Sequence, residues 1–355
     1  MTLKRVIRIL LLLALPVACT KQPATEEPIA IGFSASLSDD LPLTRAAGEI
    51  DGDAALQAAG FGVFACYTGL HTYAESSVTP DFMFNQHVHY IGGHWEYEPV
   101  KYWPAGEGEI TQEPDPANPH HVSFFAYAPY SDGSRACIPS FIRVGEMGDP
   151  WLLYRLADDP AEQVDLLYAT PLLDQTRPSI GARLNFSFRH ALACVGEKVS
   201  VALGDDLRAA LLGEVTAGTI ESARVVLQSV KVTYTLTAKG RLNLWNRGQA
   251  NWTALISEDV VTTRSQTLLS GGSAQIWTSA GDASSPWEVG DKGIFCVPVE
   301  APGYPQKAVV DITFIIYRTQ GGQTAGTERQ VSSEVQLKTY LSEGKTTDLN
   351  IKLNK

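Results

Sequence analysis

Apolar and polar positions alternate through much of the chain, and this alternation predicts β-strands. Near the N-terminus the apolar members of one such run are Ile29, Ile31, Phe33, Ala35 and Leu37, separated by small or polar residues. Side chains two positions apart point to the same face of a strand. The run therefore predicts a strand with one face packed against a core.

Further segments carry the same signal or are apolar on both faces, as the central strands of a sandwich are. They are residues 61–67, 122–128, 184–188, 199–203, 223–236, 310–316 and 331–341. Helical periodicity is weak, and only residues 53–59 and 205–212 are predicted to form short helices. Many short strands separated by glycine, proline, asparagine and aspartate predict an all-β sandwich fold.

The 355 residues are long enough for about two domains. The strongest candidate for a boundary is the segment 170–181, which contains Pro171, Pro178 and Gly181. We therefore expect an N-terminal sandwich over residues 29–180 and a C-terminal sandwich over residues 181–355. Residues 108–120 hold three prolines, which predicts an insertion between strands because proline is excluded from a central strand.

The first residues are typical of an export signal. Lys4, Arg5 and Arg8 precede an apolar run that is too short to span a bilayer, and small residues follow it. The order predicts a signal peptide over residues 1–18 whose removal leaves Cys19 first, as in a bacterial lipoprotein. Residues 19–28 would then be a polar tether. The alternative is an ordinary signal peptide cut near residue 18, with an incidental cysteine.

Composition excludes some classes of function and some kinds of site. The net charge of −11 opposes nucleic-acid binding, because neutralising phosphates requires lysine and arginine. The four cysteines beyond Cys19 have no metal-ligand spacing and make no disulfide framework, so buried free thiols are expected, with one bridge left open.

Several short motifs occur in an order that resembles the fimbrillin family, the pilus subunits and pilus-like lipoproteins of gram-negative gut and oral anaerobes. They are Trp95-Glu96-Tyr97, Lys101-Tyr102-Trp103-Pro104, Val122-Ser123-Phe124-Phe125-Ala126-Tyr127-Ala128-Pro129, Asp165-Leu166-Leu167-Tyr168-Ala169 and Leu184-Asn185-Phe186-Ser187-Phe188-Arg189-His190-Ala191-Leu192-Ala193. The resemblance implies two consecutive β-sandwich domains of transthyretin-like topology. It also implies export as a lipoprotein to the outer membrane, and assembly into a fimbrium that contributes to cell adhesion.

The resemblance further implies that a trypsin-like protease cuts after an early arginine, for which Arg45 is the candidate. Residues 38–53 are polar and acidic, as expected of an exposed loop that a protease can reach. The cut would free the strand that carries Ile29, Ile31, Phe33 and Leu37. A strand of another fimbrial subunit would then replace it, since an unpaired sheet edge accepts an added strand.

The C-terminal strand admits two interpretations. Leu349, Ile351 and Leu353 form one apolar face, and only two residues follow it in the sequence. This face is either the donor strand for another subunit or the last strand of its own domain. The second interpretation favours an accessory, tip or otherwise terminal subunit.

No catalytic, metal or cofactor site is predicted. His87 and His89 share a strand face, yet no cysteine or carboxylate completes a ligand set. His190 is expected to pack and hydrogen-bond in the core. Tryptophans, among them Trp245 and Trp252 in a polar stretch, leave an alternative function open, namely a surface lipoprotein that binds glycans and does not polymerise. In either case a host or bacterial surface ligand is expected.

Overall fold

The computed structural model describes residues 28–38, 48–104, 119–177, 182–257, 259–281, 285–290 and 293–355. Strands dominate these residues, so the predicted all-β class is confirmed. The first ten strands are β1 Gly32–Leu37, β2 Phe61–Gly69, β3 Met83–Ile91, β4 His94–Glu96, β5 His121–Ala128, β6 Ser140–Phe141, β7 Trp151–Arg155, β8 Leu167–Ala169, β9 Leu172–Gln175 and β10 Arg183–His190.

The remaining elements include the longest strands. They are β11 Ala193–Leu203, β12 Ser222–Thr237, β13 Lys239–Asn243, β14 Asn251–Ala254, β15 Val261–Thr278, β16 Trp287–Gly290, β17 Ile294–Cys296, β18 Lys307–Gln320, β19 Gln323–Gln336 and β20 Thr346–Leu353. The helices are α1 Asp53–Ala59 and α2 Asp205–Thr216. Both helices begin where the sequence predicts. Within the described part of the chain, no helix is long and apolar enough to cross a membrane.

One sheet collects the N-terminal strands in the order β1-β10-β8-β5-β2-β3-β4, with β9 also paired to β5. Its core is aromatic, because phenylalanines from four different strands point to the same side. The large buried members of this core are Ile31, Phe33, Phe61, Met83, Trp95, Tyr97, Trp103, Phe124, Phe186 and Phe188. We refer to these residues as the N-terminal core.

The C-terminal strands form two facing sheets. One has the order β15-β12-β18-β19, and the other places β11 between β20 on one side and β16 with β17 on the other. Their facing sides enclose an aliphatic core to which α2 adds Leu207 and Leu211. These two leucines are one helical turn apart and therefore lie on the same face of α2.

A further sheet joins the two halves of the chain. Its order is β14-β13-β7-β6, so strands from residues 140–155 pair directly with strands from residues 239–254. Another hydrophobic cluster packs beside it and draws on both halves, with members such as Phe125, Tyr154, Leu242 and Val297.

The structure places the strand after the expected boundary in the N-terminal sheet. Strand β10 pairs with β1 and β8, and the segment 170–181 contains β9, which pairs with β5. A division of the chain at 180/181 would separate β10 from the sheet to which it belongs. Proline and glycine mark where a strand ends, but they do not determine which sheet the next strand joins.

Candidate functional site

Strand β1 lies beside β10 in a parallel pair. The register runs from Gly32 opposite Arg183 to Leu37 opposite Phe188. Immediately beyond β1, the amide of Ser38 donates a hydrogen bond of 2.9 Å to the carbonyl of Phe188. The strand that the resemblance assigns to displacement is thus a full member of the N-terminal sheet.

A second backbone partner binds the start of this segment from the other side. The amide of Ile31 donates to the carbonyl of Lys101 at 2.9 Å, and the amide of Trp103 donates to the carbonyl of Ile29 at 3.0 Å. Residues 29–37 therefore lie in a slot, which we define as the space between β10 and residues 101–103. Both walls of this slot present backbone groups, so a strand that enters it gains hydrogen bonds on both edges.

Tyr97 fixes the geometry of the second wall. Its hydroxyl donates to the carbonyl of Ile31 at 2.8 Å and accepts from the amide of Lys101 at 3.2 Å. Burial raises the pKa of Tyr97 to about 12, so the hydroxyl keeps its proton and its role as a donor. The tyrosine of the Trp95-Glu96-Tyr97 motif thus bridges the strand and its neighbour.

The inner face of the slot is filled by Ile31 and Phe33, which are almost completely buried. Phe33 contacts four aromatic rings, with centroid distances between 5.4 and 6.3 Å. They are Phe61, Tyr97, Phe124 and Phe186. Ile29, Ala35 and Leu37 are half-buried and pack against the same core. The predicted face of alternating apolar residues is therefore the face that points inward.

The outer face of β1 carries small residues. The hydroxyl of Ser34 donates to Oδ1 of Asn185 at 3.1 Å. Near Gly32, a Cβ atom would lie 3.3 Å from Cγ of Arg183, so the arginine side chain covers this position. At the end of the strand the amide of Leu37 donates to Oδ1 of Asp53 in the first turn of α1, at 3.1 Å.

The two residues predicted for processing, Cys19 and Arg45, lie outside the described residues, as does the signal peptide. The chain is described again from Gly48, whose carbonyl accepts from the amide of Asp165 at 3.1 Å. Gly48 has a φ of 76°, and a Cβ atom there would come within 1.8 Å of the carbonyl oxygen of Gln163. Only glycine fits this close approach.

A buried ion pair between His190 and Asp165 lies next to the segment that begins at Gly48. Nδ1 of His190 donates to Oδ2 of Asp165 at 2.7 Å, and the amide of Ile50 donates to the same oxygen at 3.2 Å. Burial by itself lowers the pKa of His190, but the hydrogen bond and the negative charges of Asp165 and Glu49 raise it above its ordinary value overall. The expected packing and hydrogen-bonding role of His190 is thus seen in the structure.

The C-terminal strand β20 pairs with β11 in parallel, from Cys194 opposite Thr346 to Leu203 opposite Leu353. Leu349 and Leu353 are buried in the C-terminal core, and Ile351 packs against its edge. In this structure β20 is a strand of the same sheet as β11.

The rings of His87 and His89, the two histidines that share a strand face, lie edge to face with centroids 5.3 Å apart. His87 stacks on Tyr130 with centroids 3.9 Å apart, and burial lowers its pKa. Across the described ranges no three side chains of the types that bind metals come together. The cysteines at 66, 137, 194 and 296 are buried and unbridged, which confirms the expectation of free thiols.

A cleft of about 600 Å³, which the sequence did not predict, lies between β10, the β13–β14 loop and the segment before β20. Trp252 and Arg189 line it together with Glu343. The carboxylate of Glu343 accepts from the hydroxyl of Tyr168 at 2.9 Å and from the amide of Ala250 at 2.6 Å. The only feature of the sequence that pointed to this cleft was Trp252 in a polar stretch. The other lining residues come from distant segments of the chain, so the sequence could not place them beside it.

Comparison with known proteins finds similarity to fimbrial proteins in sequence and in fold. No protein-family model matches the sequence. The chain is 28% identical over 167 residues to the fimbrium subunit Fim1C of Phocaeicola vulgatus, a match that spans 44% of this chain and only 41% of that relative. The fold is similar to that of a fimbrial protein from Bacteroides vulgatus, with a TM-score of 0.59, 19% identity, and coverage of 92% of this chain and 96% of the other. These comparisons confirm that the chain resembles the fimbrial proteins, as the order of its motifs predicts.

Proposed function

We propose that this chain is a fimbrial subunit that is exported as a lipoprotein, cut after Arg45, and assembled by exchange of strand β1. The observation that carries the proposal is the slot of β1. β1 is bonded to β10 along one edge, and residues 29 and 31 just before it are bonded to residues 101–103 on the other edge. The strand is buried on one face, yet its only covalent connection to the rest of its sheet runs through residues 39–47. One cut in that segment would leave β1 held by noncovalent contacts alone.

Loss of β1 would leave an acceptor site of defined chemistry. The edge of β10 and the carbonyl of Lys101 would lose their hydrogen-bond partners, and the four rings around Phe33 would face water. An unpaired edge beside an apolar groove is a template for a strand of another chain. The incoming strand would restore the ladder and place alternate side chains in the groove.

The proposal also includes a lipid anchor at Cys19, which precedes β1 in the chain. Acyl chains on Cys19 would hold the precursor at the outer membrane, and more than one chain is needed for stable attachment. A cut after Arg45 followed by release of β1 would remove lipid and strand together. The same proteolytic step would therefore free the subunit from the membrane and open its slot.

The position of β20 supports an accessory, tip or terminal place in the fimbrium. Its leucines already fill the C-terminal core of the same chain, so donation would remove Leu349 and Leu353 from that core and expose its remaining apolar side chains to water. A subunit that receives a strand and keeps its own β20 would end a chain of subunits. Its partners would be other fimbrial subunits, a trypsin-like protease and a ligand on a host or bacterial surface.

A second candidate function rests on the cleft beside Trp252. Its indole Nε1 donates to the carbonyl of Ala191 at 2.8 Å, which holds the ring in the wall of the cleft next to Arg189 and Glu343. A fixed aromatic ring beside charged groups is an arrangement that binds sugars. Glycan binding by a monomer that does not polymerise would be the outcome if β1 is never exchanged.

The substitution Arg45→Ala tests the proposed function. We expect the wild-type precursor to be cut once near residue 45 by a trypsin-like protease and then to form heat-stable, SDS-resistant ladders with a partner subunit. Arg45→Ala should remain an uncut, lipid-anchored monomer. The control is Arg143→Ala, which removes an exposed loop arginine far along the chain and should behave like the wild type. Ladders formed by uncut Arg45→Ala protein would contradict the proposal.

A further inference from the structure

Resting on the proposed exchange, we infer that the slot selects donor strands with an aromatic residue at the position of Phe33. The natural donor would then be a strand of a different subunit, because β20 of a second copy of this chain lacks such a residue. The juxtaposition that carries this inference is the set of four aromatic rings around a single strand position.

The site of Phe33 is built for an aromatic ring. Phe186 stacks on it at 5.7 Å with planes 26° apart, Tyr97 approaches at 5.4 Å, and the edges of Phe61 and Phe124 complete the surround. Edge-to-face and offset contacts of this kind are specific to aromatic partners and add to the burial of area. A leucine or isoleucine would leave part of this ring-lined space unfilled, and interiors do not collapse fully around such a loss.

The positions on either side of Phe33 further restrict which donor strands fit the slot. Before Phe33 the inward residue is the buried aliphatic Ile31, whereas after it the inward residue is the small, partly buried Ala35. On the outer face, Gly32 lies under the side chain of Arg183, whose Nη1 donates to the carbonyl of Phe33 at 3.5 Å. A larger outer residue would have to displace that arginine. The slot thus fits a strand whose residues at positions 31 to 35 are, in order, aliphatic, small, aromatic, polar and small.

Strand β20 has a different pattern. Its inward positions are Leu349, Ile351 and Leu353, separated by Asn350 and Lys352. Any of the three can be aligned with Phe33, and each alignment places an aliphatic side chain among the four rings. When Ile351 takes that place, Leu353 falls on the Ala35 position and Asn350 falls under Arg183. A second copy of this chain is therefore a poor donor in every register that keeps the apolar face inward.

Peptide competition on the cut protein tests this selectivity. The full chain is prepared with residues 40–46 replaced by the recognition sequence of a site-specific protease, so that a single cut frees β1. Fluorescent peptides are then added, and their binding is followed by anisotropy. The peptides are residues 28–38 as they stand, the same peptide with Phe33→Leu, Phe33→Ala or Ser36→Ala, and residues 345–355 with and without Ile351→Phe.

The expected order of affinity follows from the filling of the ring-lined site. Relative to the unchanged 28–38 peptide, Phe33→Leu should bind about tenfold more weakly and Phe33→Ala at least about 100-fold more weakly. Ser36→Ala, on the outer face, should bind like the unchanged peptide. The 345–355 peptide should bind weakly and should gain about tenfold from Ile351→Phe.

The outcomes separate the two proposals. If peptide 345–355 binds as tightly as 28–38 and gains nothing from Ile351→Phe, the slot does not select for an aromatic residue, and the inference is overturned while strand exchange stands. If no peptide enters the slot of the cut protein, the exchange itself is overturned, and the selectivity falls with it. The expected order, with the gain from Ile351→Phe, would establish a heterologous donor.

Discussion

Phe33 stacks on Phe186 at a centroid distance of 5.7 Å, although one residue precedes the first helix and the other lies in the strand that leads to the C-terminal half. This contact connects β1 to β10 and places the N-terminal segment in the middle of an aromatic core. Removal of β1 would therefore lower the stability of the whole N-terminal sheet.

Truncation of Phe33 should be strongly destabilising. We expect Phe33→Ala to lower the free energy of unfolding of the uncut protein by about 3–5 kcal/mol, because the lost ring leaves a cavity between rigid neighbours. Ser36→Ala, on the outer face of the same strand, should change it by less than about 0.5 kcal/mol. Urea unfolding followed by fluorescence measures both values. Equal stability of the two variants would show that β1 is not part of the core.

The hydroxyl of Tyr97 should contribute separately from its ring. Tyr97→Phe keeps the packing against Phe33 but removes the bridge between Ile31 and Lys101. The expected loss is about 1 kcal/mol, together with faster hydrogen exchange at the amide of Ile31. Tyr102→Phe is the matched control, since that side chain is about half exposed. A similar loss in both variants would argue against a specific bridge.

The buried pair of His190 and Asp165 should give the stability a pH dependence. The pKa of His190 is raised in the folded state, so the protonated form is favoured by folding. Its contribution is present in full below the unfolded pKa, which is near 6.5, and is lost as the pH rises through the folded pKa. Stability measured between pH 5.5 and 8.5 should fall with rising pH more steeply for the wild type than for His190→Asn. Parallel curves would rule out this linkage.

Lipid attachment is tested at Cys19. We expect Cys19→Ser to abolish labelling by a radioactive or clickable fatty acid and to release the precursor from the outer membrane. A second variant, Cys66→Ser, changes a buried core thiol and should keep its label if it folds. Unchanged labelling of the Cys19→Ser precursor would contradict the lipoprotein assignment.

The local pattern of the sequence predicted much of the fold. Alternation in residues 29–37 correctly indicated which side chains of β1 face inward, and the two short helices begin where their apolar spacing predicts. The burial of four free cysteines and the hydrogen bond of His190 also agree with expectations from the sequence. Each of these expectations came from local spacing or from residue type, and none required the partner, such as Asp165 for His190, to be known.

The pairing of strands could not be predicted in the same way. A period of two determines the face of a strand but not its partner, so nothing in residues 29–37 indicates a parallel pair with β10 or bonds to Lys101 and Trp103. The pairing of β7 with β13 across the two halves could not be predicted for the same reason. The slot forms through such long-range pairs. The sequence therefore predicted the inward-facing side chains of β1 but not the two walls that surround the strand.

Release of β1 from a cut subunit tests the central claim most directly. The full chain carrying a single cleavable site within residues 39–47 is cut, mixed with an excess of a strand that matches residues 28–38, and separated by gel filtration for intact-mass measurement. We predict that the original fragment leaves and that one added strand takes its place on the remaining chain. Retention of the original fragment against a large excess over days, with no added strand bound, would contradict assembly by exchange of β1.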